Sequence, residues 1–338
     1  MAEYLGYPFD PELFLYNWQN EKDLTLTAMF DSGAVQANGT IANLIANGSS
    51  IYTIPFYKTI GGEPDNYDGK TDITITEPEG SAQMGVVYGR AHGWRDRDFI
   101  RDYNSGADPM KQITSQVAKY WQKQRQAILI KILNGVFGVA GAEWALHTTN
   151  LAATGSSVAA ENKLGATTVA DAIQKAVGDA SGEFGLAIMH SKVANGLAGL
   201  DLLEYRKYTD INGIQRNLNI ADINGLTVII DDGVPTADSS SATGQKEYTT
   251  YLFGNGAIQY AKASVDKPVE TTRDAKTDGG YNELITRIRE TIHPNGFKFV
   301  LPESFEASPT NAQLEATANW ELVANPKGIA MARIISNG

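Results

Sequence analysis

The hydrophobic pattern of this chain changes period several times, and its longest coherent stretch lies in the middle. Asp108 is a good helix N-cap and Pro109 suits the first helical position. Met110, Ile113, Val117, Tyr120 and Trp121 follow at spacings of three and four, one stripe of an amphipathic helix. After Gln126 the segment AILIKIL is apolar all round, through Ile128, Leu129, Ile130, Ile132 and Leu133. Asn134-Gly135 and Gly138 then supply stop signals. The pattern predicts a helix over 108–137, about 45 Å long at the α-helical rise. Such a helix is a spine, amphipathic where it lies on a sheet and buried where a second domain meets it.

Upstream, residues 1–50 show weak periodicity, with Gly, Asn and Ala throughout, and read as an extended arm that gains order by lying on something else. Over 51–77, IYTIPFYKTI is rich in β-branched and aromatic residues, DITITE alternates, and GGEPDNYDGKT between them carries turn residues. This predicts a hairpin with a polar tip. A lone two-stranded hairpin is marginal in water and needs a partner surface, on its own chain or a neighbour. The stretch 84–104 then reads as extended, with Arg95 and Arg97 on one face and Asp96 and Asp98 on the other. A solvated edge and charge pairing across a subunit boundary both fit it.

Downstream, residues 139–166 are small and polar, an excursion or linker. From 167 helices and strands alternate: TTVADAIQKAVGDA as helix, GLAIMH as strand, SKVANGLAGLD as helix, then LTVIIDDGVP and TTYLFGNGAIQYAKA as core strands around the loop ADSSSATGQKE. In NELITRIRETIHPNGF, Leu284, Ile288 and Ile292 are expected to point one way, with Arg287 and Arg289 opposite. A helix over TNAQLEATANWELV and a strand over IAMARIIS close the chain. The second domain interrupts the first.

Composition narrows function more than fold. The 338 residues suit roughly two domains. With 28 basic against 39 acidic side chains the net charge is −11, so the chain repels phosphate on average and tight nucleic-acid binding is not expected. There is no cysteine, hence no disulfide or thiolate chemistry. The opening MAEYLGYPFD lacks the features of a secretion signal, and no apolar run is long enough to span a membrane.

Chemistry-bearing constellations are scarce. His92, His147, His190 and His293 lie far apart, which favours structural roles. Gly254-Asn255-Gly256 is a fragment of a dinucleotide motif and reads as a strand bend. In EPDNYDGKTD, placing Gly69 at loop position six puts Pro64 where a calcium loop needs a carboxylate. Asp231 and Asp232 are neighbours on a strand and face opposite ways. No catalytic residue, metal ligand or cofactor is expected.

Four stretches, YWQKQRQAILIKILNGVFG, AIMHSKVANGL, YLFGNGAI and RIRETIHPNGFKF, with the terminal NAQLEATANWELVANPKGIAMARII, resemble tailed-bacteriophage major capsid proteins of the Hong Kong 97-type fold. The resemblance covers nearly the whole chain in order. It implies an α+β fold with an N-terminal arm (1–50), an E-loop hairpin (51–83) and a P domain (84–138 and 265–338). An inserted α/β A domain (167–264) would place 235–247 near a capsomer axis, and 139–166 stays unassigned. It also implies hexamers and pentamers in a closed shell, portal and decoration partners, and only weak, non-specific contact with packaged DNA. Because the arm begins near Met1, it implies a separate scaffolding protein or none. Candidate contacts between subunits are Lys58, Lys70, Arg90, Arg95, Asp96, Arg97, Asp98, Arg287 and Arg289. Some family members weld subunits from E-loop lysines, the position of Lys58 and Lys70. Two other readings stay open: the same fold as a bacterial nanocompartment shell, and an α/β enzyme with a nucleotide site in 167–264.

Overall fold

The computed structural model describes the chain apart from residues 1, 5–6, 10, 21–23, 47, 58–62, 71, 76, 78, 98–108, 166, 180–183, 210–214, 224, 240–243 and 278–279. Its axis is the helix Pro109–Phe137, within a residue of the sequence prediction. The polar half lies on a five-stranded sheet through Val117 and Trp121, which pack with Leu284 and Ile288. The indole of Trp121 donates to Thr286 Oγ1 at 3.0 Å. The apolar half, Ile128 to Phe137, is buried in a core that draws on both large sheets. Asn134-Gly135 does not end the helix. A Cβ on Gly135 would lie 2.8 Å from the Trp320 ring, so this glycine marks a close approach rather than a cap.

The five-stranded sheet runs Val269–Asp274, Tyr281–Pro294, Ile258–Lys262, Val35–Ala37, with Tyr88–Arg97 also paired to Tyr281–Pro294. Along the long strand Leu284, Thr286, Ile288 and Glu290 are buried as a period-2 face. The face then changes: Thr291 and His293 are buried and Ile292 is only partly so, correcting the expected Leu284–Ile288–Ile292 row. The reason is a change of neighbour. Tyr88–Arg97 pairs up to Glu290, and Ile258–Lys262 pairs from Glu290 to Pro294.

The eight-stranded sheet runs Thr148–Asn150, Met331–Ser336, Lys246–Gly254, Phe184–Met189, Leu226–Ile230, Gln215–Ile223, Glu204–Thr209, with Thr236–Asp238 added to Lys246–Gly254. Helices Thr168–Val177 and Ser191–Gly199 cover its second core. Three expectations change here. Residues 139–166 are no excursion: Trp144 stacks on Phe137 at 5.3 Å, and Thr148–Asn150 pairs in parallel with Met331–Ser336. The last strand belongs to this sheet rather than with the late strands. TTYLFGNGAIQYAKA divides between the two sheets, bending at Asn255-Gly256, where Gly256 has φ 68°. The expected bend is there; a single domain for the whole stretch is not.

The terminal helix is also shorter than expected, Asn311–Glu315, with Thr310 and Gln313 forming a capping box. Trp320 instead opens a strand paired with Phe297–Phe299, and its indole donates to Leu314 O. Nor are residues 1–50 an extended arm. They hold helices Pro11–Asn20, Leu24–Asp31 and Gly39–Ala46 and bury Phe14, Met29, Val35, Ile41 and Ile45 on their own chain. Weak amphipathic signals in short helices hid this, because tertiary contacts rather than propensity hold such helices.

Candidate assembly interface

The hairpin exists, but its second strand is Gly80–Val86 and not DITITE. Ile51–Tyr57 pairs with it residue for residue. Gly85 allows this register, since the Tyr52 ring occupies the place a Cβ would take. Tyr52 is buried at the root, its hydroxyl 2.9 Å from Thr291 Oγ1, which in turn donates to Val86 O. Burial raises the Tyr52 pKa and keeps the phenol neutral. Arg289 donates to the carbonyls of Gly48 and Ser49, and Gln83 Nε2 to Asn295 Oδ1. His293 lies beside Tyr52, and burial pushes its pKa down to about 4. The root is therefore fixed by the subunit itself.

The far end is different. Tyr57, Tyr67, Ile73 and Ile75 are 80%, 89%, 71% and 88% exposed. Asp65 accepts from both the amide and hydroxyl of Thr74, and Asp68 from the amide of Lys70. These bonds fold the tip on itself without covering its apolar side chains. Glu63, Asp65, Asp68, Asp72, Glu77 and Glu79 face only Lys58 and Lys70 between Tyr57 and Glu79, so the projection is acidic. Large apolar groups on an anchored projection mark a docking surface.

Of the charged residues singled out from sequence, Arg90, Arg95, Arg287 and Arg289 have partners within the subunit. Arg90 donates to Asn311 Oδ1 at 2.6 Å and to Pro309 O, tying Tyr88–Arg97 to the terminal segment. Arg95 pairs with Glu283 at 3.0 Å and lies over the Tyr281 ring. Arg287 pairs with Glu270 at 3.0 Å. Asp96 and Arg97 stand opposite Asn282 and Tyr281 in the ladder. Lys70 is exposed at the tip, while Lys58 and Asp98 lie outside the described residues.

Sequence reasoning missed one strong interaction. Arg125 on the spine grips Glu290 with Nε and a terminal nitrogen, at 2.8 to 3.0 Å, with side chains 15% and 3% exposed. Glu290 is where the long strand changes neighbours. Only its position in the period-2 buried face, a charge among Leu284, Thr286 and Ile288, could have flagged it. The other carboxylates do structural work: Asp231 accepts from Gly233 N, and Asp232 from Ser191 N at a helix start. Among the described residues no group of three His, Asp or Glu is placed to hold a metal, and no helix is long and apolar enough to cross a membrane.

Comparison with known proteins agrees with this architecture. Residues 106–330 match the family model described as Gp13-like, Major capsid protein 13-like. The major capsid protein of Bacillus phage SPP1 is 30% identical over 306 residues, 90% of this chain and 89% of that protein. In fold, the chain resembles the capsid of Ralstonia phage GP4, with TM-score 0.55 at 9% identity over 91% of this chain and 88% of that one. It also resembles the capsid of cyanophage Pam1, with TM-score 0.53 at 12% identity over 88% of each chain. The α+β architecture is thus the Hong Kong 97-type capsid fold that the sequence resemblance implied. Sequence kinship along nearly the whole length, on that fold, leads to one assignment: the chain belongs to the Gp13-like family of major capsid proteins.

Proposed function

We propose that this protein is the repeating, non-catalytic subunit of a closed icosahedral shell of hexamers and pentamers around the double-stranded DNA of a tailed phage. The observation that carries the reading is the hairpin, clamped at its root by Tyr52, Thr291 and Arg289 and bare at its tip. Four large apolar side chains are exposed there, and among the described residues nothing buries them. A neighbouring copy is the economical partner, because closed symmetry repeats one modest contact many times. In this reading 51–83 is the E-loop, the spine and five-stranded sheet form the P domain, and the eight-stranded sheet is the core of the A domain. Portal, scaffolding and decoration proteins are the further partners of such a shell. Phe14, Ile41 and Ile45 of the arm are buried within the subunit, so the need for a neighbour concentrates on the tip.

The test is to replace residues 60–77 with a short Gly-Ser linker and image the purified protein by negative stain. Closed shells from the parent chain and folded, unassembled subunits from the variant are expected. Normal shells from the variant would refute the role of the tip. A parent chain that forms no shell, with or without a co-expressed scaffolding protein, would refute the function.

A further inference from the structure

The spine helix has a one-sided charge that shell assembly by the hairpin does not explain. Pro109–Phe137 contains Lys111, Lys119, Lys123, Arg125 and Lys131 and no acidic residue, in a chain of net charge −11. Arg125 is taken by Glu290 and Lys131 by Glu315. Of the other lysines on the helix, the structure describes the side chains of Lys119 and Lys123, and among the described residues no carboxylate lies within ion-pair distance of either. Gln116, Lys119, Lys123 and Ala127 are all exposed and fall at spacings of three and four, so they share the helix face opposite the buried Val117 and Trp121. The strip is about 17 Å long at the helical rise.

We propose that this face is a sequence-independent contact strip for the backbone phosphates of packaged double-stranded DNA, an inference that rests on the shell reading above. A strip of lysine and glutamine presents point charges and amide donors without base-reading geometry, the chemistry of phosphate contact. The competing occupant is the acidic hairpin tip of another copy. That tip would need apolar surface to bury Tyr57, Tyr67, Ile73 and Ile75, and the strip offers only Ala127. Two cations on an acidic subunit hold DNA weakly enough for it to slide, while repetition over many subunits gives the strip its effect.

Counterion release makes this measurable. Two phosphate contacts contribute a slope of about 1.8 in log affinity against log salt, or roughly tenfold in affinity between 50 and 200 mM salt. Binding of unassembled full-length subunits to a 30-base-pair duplex of arbitrary sequence would be followed by fluorescence anisotropy across a salt series. Lys119→Gln/Lys123→Gln is compared with the control Lys262→Gln/Lys267→Gln, which alters exposed lysines outside the spine. The expected result is a slope shallower by about 1.8 in the spine variant only, with shells still forming. An unchanged slope, or an equal change in the control, overturns the inference. Loss of shells with an unchanged slope also overturns it and assigns the strip to another subunit. Failure of the parent chain to form shells removes the function instead, a result the salt slope does not mimic.

Discussion

Arg125→Met is the most informative single perturbation. It leaves the Glu290 carboxylate, 3% exposed, without the guanidinium that satisfies both its oxygens. Breaking a buried pair in this way costs about 3–5 kcal/mol, because an uncompensated charge stays in the interior. The double variant Arg125→Met/Glu290→Met removes both charges and keeps the volume, and such replacements come out near neutral. The cycle therefore predicts that the second substitution rescues the first, with a coupling of at least about 3 kcal/mol. Urea unfolding of unassembled subunits, read by fluorescence of Trp121, whose ring packs on the same strand, reports the loss directly. With a slope near 3 kcal/mol per molar urea, the single variant shifts the midpoint down by roughly 1 to 1.7 M. A single variant costing under about 1 kcal/mol, or a double variant no better than the worse single, would show that the pair is not what holds spine to sheet.

Other consequences are equally concrete. Gly135→Ala gains up to about 1 kcal/mol of helix propensity but drives a methyl against the Trp320 ring and Leu314 O; overpacking at about 1–3 kcal/mol wins, and thermal unfolding should move to lower temperature. His293 is held neutral by burial, with its pKa near 4, so the folded state binds fewer protons than the unfolded chain between that value and the ordinary 6.5. The stability it contributes is complete above pH 6.5 and is lost as pH falls towards 4, about 3 kcal/mol in all. His147, also lowered by burial, acts with the same sign. His293→Gln should flatten stability over that window in urea titrations; an unaltered profile would refute the assignment. Ile73→Asp and Ile75→Asp touch exposed positions, so subunit stability should stay within about 0.5 kcal/mol while shell yield in negative stain collapses. Destabilised monomers or normal shells would contradict that.

What the residues alone determined was whatever local periodicity encodes. The spine was legible to within a residue because Pro109, the three-and-four spacing of Val117, Tyr120 and Trp121, and the apolar run after Gln126 all act over one or two turns. The helix–strand–helix run from Thr168 to Gly199 was legible for the same reason, as was the strand IAMARIIS, whereas the strands Glu204–Thr209 and Gln215–Ile223 were not. Pairing was not. DITITE has better strand chemistry than GSAQMGV, yet the latter pairs with Ile51–Tyr57, because Gly85 admits the Tyr52 ring and Thr291 anchors it from the long strand. Likewise Met331–Ser336 joins the distant Lys246–Gly254 and Thr148–Asn150, and Arg289 donates to the carbonyls of Gly48 and Ser49. Such choices depend on groups tens to more than two hundred positions apart, whose meeting no local window contains. Sequence could show that the chain carries these arginines and an alternation of isoleucine and threonine; only the folded subunit decided that Arg90, Arg95, Arg287 and Arg289 find partners on their own chain while Ile73 and Ile75 stay exposed.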